Sequence, residues 1–225
     1  MNKKIRPIRS YILRQGRLTK HQARGIEELS PKFSIPFQES LVDFGSLFLE
    51  SNNKIILEIG FGMGDATAQI AKQLFQYNFL AIEVHSPGVG KLLNKIHEQE
   101  ISNIKIIQHD AVEVLDKMIP NASLDGLHIF FPDPWHKKKH NKRRLIQKVF
   151  LDLVALKLKK DAYIHIATDW EDYALWILEV FEDIHEFQIK NKNLTQKPSY
   201  RPNTKYENRG LRLGHRVWDI IFLRR

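Results

Sequence analysis

The residues best equipped for chemistry stand between Leu127 and Arg144. An apolar run with strand character, Leu127 to Phe131, stops at a carboxylate, Asp133, set between Pro132 and Pro134. Two prolines leave the backbone around that acid few conformations, so it is positioned rather than free. Trp135 follows as a flat stacking surface, and residues 136–144 then place six Lys/Arg and two His in nine positions. An acid at a strand end, beside an aromatic face and a ramp of cations, suits a site that grips a nucleobase while holding its phosphates alongside. The simpler alternative is a surface loop before a basic helix. His136 and His140 are four residues apart, but lysines lie between them and the chain has no cysteine, so no metal site is expected.

A second cluster lies upstream. The strand-like run 54–59 leads into Gly60, Phe61, Gly62, Met63 and Gly64, a glycine spacing that permits a sharp turn and close approach of backbone N–H groups to a ligand. Glu58 falls at the end of this first strand, Glu83 at the end of the second, Asp110 at the end of the third and Asp133 after the fourth. Carboxylates at successive strand ends point into one crevice, where they accept hydrogen bonds from ribose hydroxyls or an adenine amino group. A dinucleotide site favours a third glycine three residues beyond the second, and here the gap is two. An acidic crevice suits a cationic sulfonium better than a pyrophosphate, which makes S-adenosylmethionine the better fit. Asp65 or Asp110 could instead cap the helix that follows. At the fifth strand end, Asp169 and Trp170 repeat the pairing of acid and indole. Beyond them the stretch from Arg201 to Gly210 mixes donors, acceptors and an aromatic ring, as a surface that reads a base edge and holds a phosphate would.

These clusters need a scaffold, and the pattern of the chain supplies one. Apolar strand patterns over 54–59, 79–84, 104–108, 124–131 and 162–167 alternate with helical patterns over 66–75, 88–98, 111–118, 142–158 and 171–181. Such alternation predicts a parallel sheet covered on both faces. Residues 187–189 and 217–223 read as closing strands separated by a long polar loop, and 41–49 as a short helix. Residues 1–36 show weak periodicity and three prolines, and the expected division is a basic, partly flexible arm over 1–40 and one domain over 41–225.

A chain of 225 residues, 43% hydrophobic and without cysteine, fits one well-buried domain in a reducing, cytoplasmic compartment, and no segment reads as a membrane span or signal peptide. The net charge of +9 is segregated. Residues 1–24, 136–144 and 197–225 together carry +20, which leaves −11 on the rest. The natural partner of such basic blocks is a polyanion, and their admixture of Tyr, Trp, His and Asn favours nucleic acid over a membrane. Two other classes compete with a methyl-transferring enzyme. A nicotinamide-dependent oxidoreductase would use the same sheet, and an RNA-binding module would keep the basic blocks with a vestigial pocket.

The stretches Arg9 to Lys20, Leu57 to Gly64, Ile82 to Gly90, Phe130 to Arg144, Ala167 to Tyr173 and Arg201 to Asp219 together resemble the bacterial tRNA (guanine-N7)-methyltransferase family over nearly the whole length. The resemblance implies a Rossmann-like class I methyltransferase: an α/β fold with a mostly parallel seven-stranded sheet, helices on both faces and a closing antiparallel strand. It implies transfer of the methyl group of S-adenosylmethionine to N7 of a guanosine in the variable loop of tRNA, with no metal and no membrane partner, by a monomer or homodimer. Matched onto the family motifs, Glu58, Gly60, Gly62, Gly64, Glu83, Asp110 and Asp133 fall on cofactor-binding positions, and Asp133 also on the catalytic one. Lys137, Asp169, Thr204, Lys205, Tyr206 and Glu207 fall on substrate-binding positions. Tyr206 stands where the family often has Phe, and Lys139 where it often has Arg.

Overall fold

The computed structural model describes residues 9–12, 16–191, 193–212, 214 and 216–225, apart from the side chains of Lys205, Tyr206 and Arg209. The strands are β1 (Lys54–Ile59), β2 (Tyr77–Ile82), β3 (Ile104–Ile107), β4 (Leu124–Phe130), β5 (Leu158–Thr168), β6 (Phe187–Ile189) and β7 (Trp218–Arg224). They form one sheet in the order β3-β2-β1-β4-β5-β7-β6. Strands β1 to β5 pair in parallel, and β7 runs antiparallel to both β5 and β6. The expected fold class is therefore the observed one.

Helices α1 (Lys20–Phe33), α3 (Asp65–Gln73) and α4 (Ser86–Glu98) pack on one face of the sheet, and α5 (Ala111–Lys117), α6 (Lys148–Lys157) and α7 (Glu171–Glu182) on the other. Period-two alternation builds both cores from the same strands. On β1, Ile55, Leu57 and Ile59 face one core and Ile56 the other. Among the described residues no helix is long and apolar enough to cross a membrane.

Three segments differ from the sequence reading. Helix α1 lies within the stretch read as a flexible arm. Its start is fixed by a capping box, with Gln22 N–H donating to Thr19 Oγ1 at 3.2 Å and Thr19 N–H donating to Gln22 Oε1 at 2.9 Å. It crosses α4 so closely that a Cβ on Gly90 would lie 2.4 Å from the Gln22 carbonyl oxygen. After it, Ser34 bridges Ile106 and so covers the β3 edge of the sheet. The long helix expected over 142–158 is instead a 3-10 helix (Lys138–Arg143) followed by α6, broken where Arg144 turns inward with extended backbone. The polar loop 191–215 contains α8 (Lys205–Arg212). A short α2 (Phe44–Leu47) precedes β1 within the stretch expected to be helical.

Candidate active site

The crevice opens at the carboxyl ends of β1 and β4, where the strand order reverses and the following helices depart to opposite faces, the ordinary ligand position in a doubly wound sheet. A cavity of about 220 Å³ lies there, lined by Gly60, Glu83, Asp110, Phe131, Pro132 and Asp133, with Ser10 and Tyr11 from the N-terminal segment closing one side.

On the β1–β2–β3 side the acids are fixed locally. Glu83 accepts backbone N–H groups from Val84 at 2.7 Å and His85 at 3.0 Å on one oxygen, and from Gly62 at 2.7 Å on the other. A carboxylate offers about four acceptor positions, so roughly one remains for a ligand. Asp110 caps α5 by accepting from Val112 N–H at 2.8 Å, as the capping alternative proposed, and it also lines the cavity. Tyr11 lines the cavity beside Asp110. Burial first, and that carboxylate second, push the phenol up to about 12. Gly60 and Gly62 take left-handed φ values of 77° and 57°, and a Cβ at either would meet only open space, so the loop leaves its backbone accessible. Gly64, at φ 72°, instead packs against Leu92.

Glu58 does not line this cavity. It is buried behind the glycine loop, with Thr67 Oγ1 donating to Oε1 at 3.0 Å and no hydrogen-bond partner for Oε2 among the described residues. Burial pushes its carboxyl up to about 7, the Thr67 bond opposes the rise and the nearby Glu83 charge adds to it. An acceptor-rich crevice with exposed peptide groups fits a ligand that brings hydroxyl and amino donors and a positive charge. S-adenosylmethionine has those features; a pyrophosphate would face repulsion.

On the β4–β5 side the loop after β4 is held under strain. Phe131 and Trp135 are non-glycine residues with φ of 53° and 48°, and they bracket Pro132, Asp133 and Pro134. Such conformations cost about 1–3 kcal/mol each and persist only where the surroundings over-determine them. Phe131 N–H donates to the Ala167 carbonyl at 2.7 Å, Arg144 Nε to the Pro134 carbonyl at 2.9 Å and Trp135 Nε1 to the Ser10 carbonyl at 3.0 Å. Arg143 stacks over the Trp135 ring at 4.4 Å. Arg144 is buried, pairs with Asp172 and lies 4.9 Å from the Tyr173 ring. It therefore braces the loop from inside and leaves the surface ramp to the other five cations. Lys137 is exposed at the start of the 3-10 helix. The His136 ring meets Trp170 edge-on at 4.1 Å, which links this loop to the end of β5. There Asp169, Trp170, Arg216 and Trp218 line a second, open cleft of about 530 Å³.

The 197–212 segment covers the β4–β5–β7 part of the face that α3 and α4 leave bare. Tyr200 donates or accepts at 2.7 Å with His165 Nδ1 and stacks on His128, whose Nε2 meets Tyr163 Oη at 2.7 Å. His165 Nε2 meets Asp219 Oδ1 at 2.8 Å. Burial lowers the affinity of His165 for a proton despite that contact, and lowers that of His128 further. Burial works against the Asp219 carboxylate too, but its bonds to His165 and Arg201 prevail and hold it below the usual carboxylate range. Thr204 and Glu207 close a capping box at the start of α8, with Glu207 N–H donating to Thr204 Oγ1 at 3.0 Å and Thr204 N–H donating to Glu207 Oε2 at 3.3 Å. Glu207, expected at the tRNA surface, is buried, and its carboxylate points inward onto Arg201. The side chains of Lys205 and Tyr206 lie outside the described residues.

Of the sequence candidates, Gly60, Glu83, Asp110 and Asp133 meet in one cavity and Asp169 lies in the neighbouring cleft, while Glu58 and Glu207 are interior. Tyr11, Arg144 and Arg201 were not singled out. Among the described residues no group of three or more His, Cys, Asp or Glu is arranged to hold a metal ion.

The strand order with its reversed β7, the glycine loop after β1 and the acids at the switch point define a class I methyltransferase fold. A solved S-adenosylmethionine-dependent methyltransferase from Aquifex aeolicus shares that fold with a TM-score of 0.53 at 13% identity, over 76% of this chain and 82% of that one. Residues 52–220 match a family of putative methyltransferases. The chain is 54% identical to the tRNA (guanine-N(7)-)-methyltransferase of Methylobacillus flagellatus, over 98% of this chain and 92% of that protein. It is equally 54% identical to the protein of that name from Nitrosospira multiformis, over 96% and 94% respectively. The chain belongs to the tRNA (guanine-N(7)-)-methyltransferase family.

Proposed function

We propose that this protein transfers the methyl group of S-adenosylmethionine to N7 of a guanosine in the variable loop of tRNA. The observation that carries this reading is the braced loop after β4, which holds Asp133 at the edge of an acidic cavity with an indole and a cationic 3-10 helix directly after it. S-adenosylmethionine, when bound, supplies an electrophilic methyl group on a sulfonium. Gly60, Gly62, Glu83 and Asp110 hold it, the acids by accepting from hydroxyl and amino groups, with Gly64 shaping the loop and Glu58 acting from behind it.

The N7 lone pair of guanine carries no proton, so transfer needs no general base. Asp133 then either orients the base by accepting from the guanine N1–H and N2–H₂ edge or stabilises the positive charge developing on the imidazole ring, two roles that differ in geometry. Alignment of this kind supplies about 7–11 kcal/mol of barrier reduction when the reacting atoms are well placed. Lys137, Asp169 and the turn Thr204, Lys205 and Tyr206 hold the tRNA around the base, while Lys138, Lys139 and Lys142 meet phosphates. A tRNA substrate implies a cytoplasmic setting, with the enzyme working as a monomer or homodimer.

The test is methyl transfer from labelled S-adenosylmethionine to unmodified tRNA, with the product mapped by N7-specific chain cleavage. Label at a variable-loop guanosine is expected. Absence of label, or label on another atom, would overturn the reading.

A further inference from the structure

Arg201 lies wholly inside the protein, 1% exposed, between two carboxylates that are themselves 3% and 1% exposed, Glu207 and Asp219. Its Nε donates to Asp219 Oδ1 at 2.5 Å and its Nη2 to Asp219 Oδ2 at 2.7 Å. Toward the other partner, Nη1 donates to Glu207 Oε2 at 2.7 Å and Nη2 to Glu207 Oε1 at 3.1 Å. Four directed bonds from one planar group fix the angle between the two carboxylates as well as their distance. With the Thr204 N–H bond, three of the four or so acceptor positions on Glu207 are engaged, and Lys197 Nζ stands 3.9 Å away. The carboxylate is turned inward and buried, and so is withheld from a base at the surface. Above the guanidinium lie the rings of Phe130 and Phe131, with centroids at 5.9 and 5.6 Å. Phe131 opens the strained loop that carries Asp133.

We propose that Arg201 is a positioning residue for methyl transfer: it locks the Thr204–Glu207 turn to β7 and to the end of β4, so Glu207 acts on the reaction through Arg201 and not by touching the tRNA. This rests on the proposed reading of the 204–206 turn as a tRNA contact. It reassigns Glu207, whose carboxylate points inward onto Arg201, and it gives so costly a cluster a role. Buried ion pairs contribute little net stability compared with apolar replacements of similar volume, whereas a rigid fork between three segments fixes geometry. The cluster joins the turn, β7 and the Asp133 loop, which are the parts that must agree on where a guanine lies.

The experiment is a double-mutant cycle in the full-length protein, with Arg201→Met, Glu207→Leu and the pair, read as kcat and KM for unmodified tRNA and as S-adenosylmethionine affinity by calorimetry. Each single substitution is expected to lower kcat by about a hundredfold, the scale of loss from a misplacement near 1 Å. Cofactor affinity should stay within about twofold, since the cofactor contacts come from other strands, and the double variant should be no slower than the worse single one. Arg201→Lys, which keeps the charge but not the fork, should recover part of kcat. Should Arg201→Met fail to fold, Arg201→Lys and Glu207→Gln provide the same cycle. Multiplicative losses, or a folded Arg201→Met with wild-type kcat, would overturn the proposal. Hydrogen exchange gives a readout independent of activity: amides of α8 and of Phe131, Asp133 and Trp135 should lose protection together in Arg201→Lys, and loss in α8 alone would sink the coupling. If the wild-type protein left tRNA unmethylated while this joint loss was seen, the functional reading would fail and the lock would stand.

Discussion

On the cofactor side of the crevice Glu83 is held by three backbone amides, two of them from the next residues in its own turn, whereas on the substrate side one guanidinium, Arg201, bridges Glu207 of its own segment to Asp219 of β7, beside the contacts those acids make with Thr204 N–H and His165. The first arrangement places a carboxylate relative to one loop and leaves an acceptor position facing the ligand. The second turns the carboxylates inward and places whole segments relative to each other. A small cofactor needs a few fixed acceptors. A tRNA needs surfaces from several parts of the chain in register, and the buried arginines Arg144 and Arg201 both serve that need, one under the Asp133 loop and the other under the 204–207 turn.

Asp133 stands where the two sides meet, and its loss is the largest effect expected. Asp133→Asn should lower kcat by about 10²–10³-fold, the usual loss when one preorganised polar group at a reacting centre is removed, with tRNA affinity nearly unchanged. Steady-state kinetics beside a filter-binding titration measures both. Equal loss of affinity and turnover would make Asp133 part of the tRNA surface and erase the division between the sides.

Glu83→Ala tests the cofactor side next. It strands the Gly62, Val84 and His85 amides, and it removes the acceptor position left to the ligand. S-adenosylmethionine binding should weaken by about 1.5–3 kcal/mol, the ordinary contribution of a hydrogen bond to a charged group. Calorimetry reports it directly, and kcat at saturating cofactor should fall far less than in Asp133→Asn. An unchanged dissociation constant would make Glu83 a loop anchor alone.

The same contrast decides what the sequence made legible. The glycine loop and the strand-end acids could be read because their spacing is local: each acid follows its own strand, and the strands follow from period-two alternation. The substrate side depends on pairs distant in sequence. Arg144 meets Asp172 and Arg201 meets Asp219, and nothing in a basic run marks which arginine turns inward. Glu207 was misplaced for the same reason, since a carboxylate in a polar loop reads as surface until its buried partner is seen. Two local signals mark further helices. The patterns from Thr19 to Gln22 and from Thr204 to Glu207 each have the S/T-x-x-E/Q form of a capping box, and each opens a helix, α1 or α8, that the periodicity had left as arm or loop.

Glu58 is the exception on the cofactor side, an acid with a hydroxyl partner and, among the described residues, no backbone amide. Burial raises its carboxyl to about 7, so the folded protein holds that proton more tightly than the unfolded chain does. The linked stability is present below the ordinary carboxylate range and is lost as pH rises through about 7. Melting temperatures of cofactor-free wild type and Glu58→Gln should therefore diverge as pH rises across that window, with the variant favoured at the alkaline end. Parallel curves would mean that the Glu58 proton is not linked to folding.

The smallest effects belong to the exposed cations, and they separate surface from interior most cleanly. Lys138 and Lys142 are exposed on the 3-10 helix, and Lys3, Lys4 and Arg6 precede the described residues. Lys138→Ala with Lys142→Ala, or removal of residues 1–8, should weaken tRNA binding whatever the tRNA, and should make the dependence of log affinity on log salt shallower by roughly 0.7–0.9 per lost phosphate contact. A truncation reaching into α1 would confound this, because that helix packs on α4 and on the edge of β3. Lys137→Ala should also lower kcat, since Lys137 opens the 3-10 helix only four residues after Asp133. Arg144→Met should leave the salt slope unchanged and lower kcat, because its guanidinium braces the Pro134 carbonyl and never meets a phosphate. If Arg144→Met flattened the slope as Lys138→Ala does, the inward arginine would be a phosphate contact after all, and the substrate side would be held by its ligand rather than by its own buried charges.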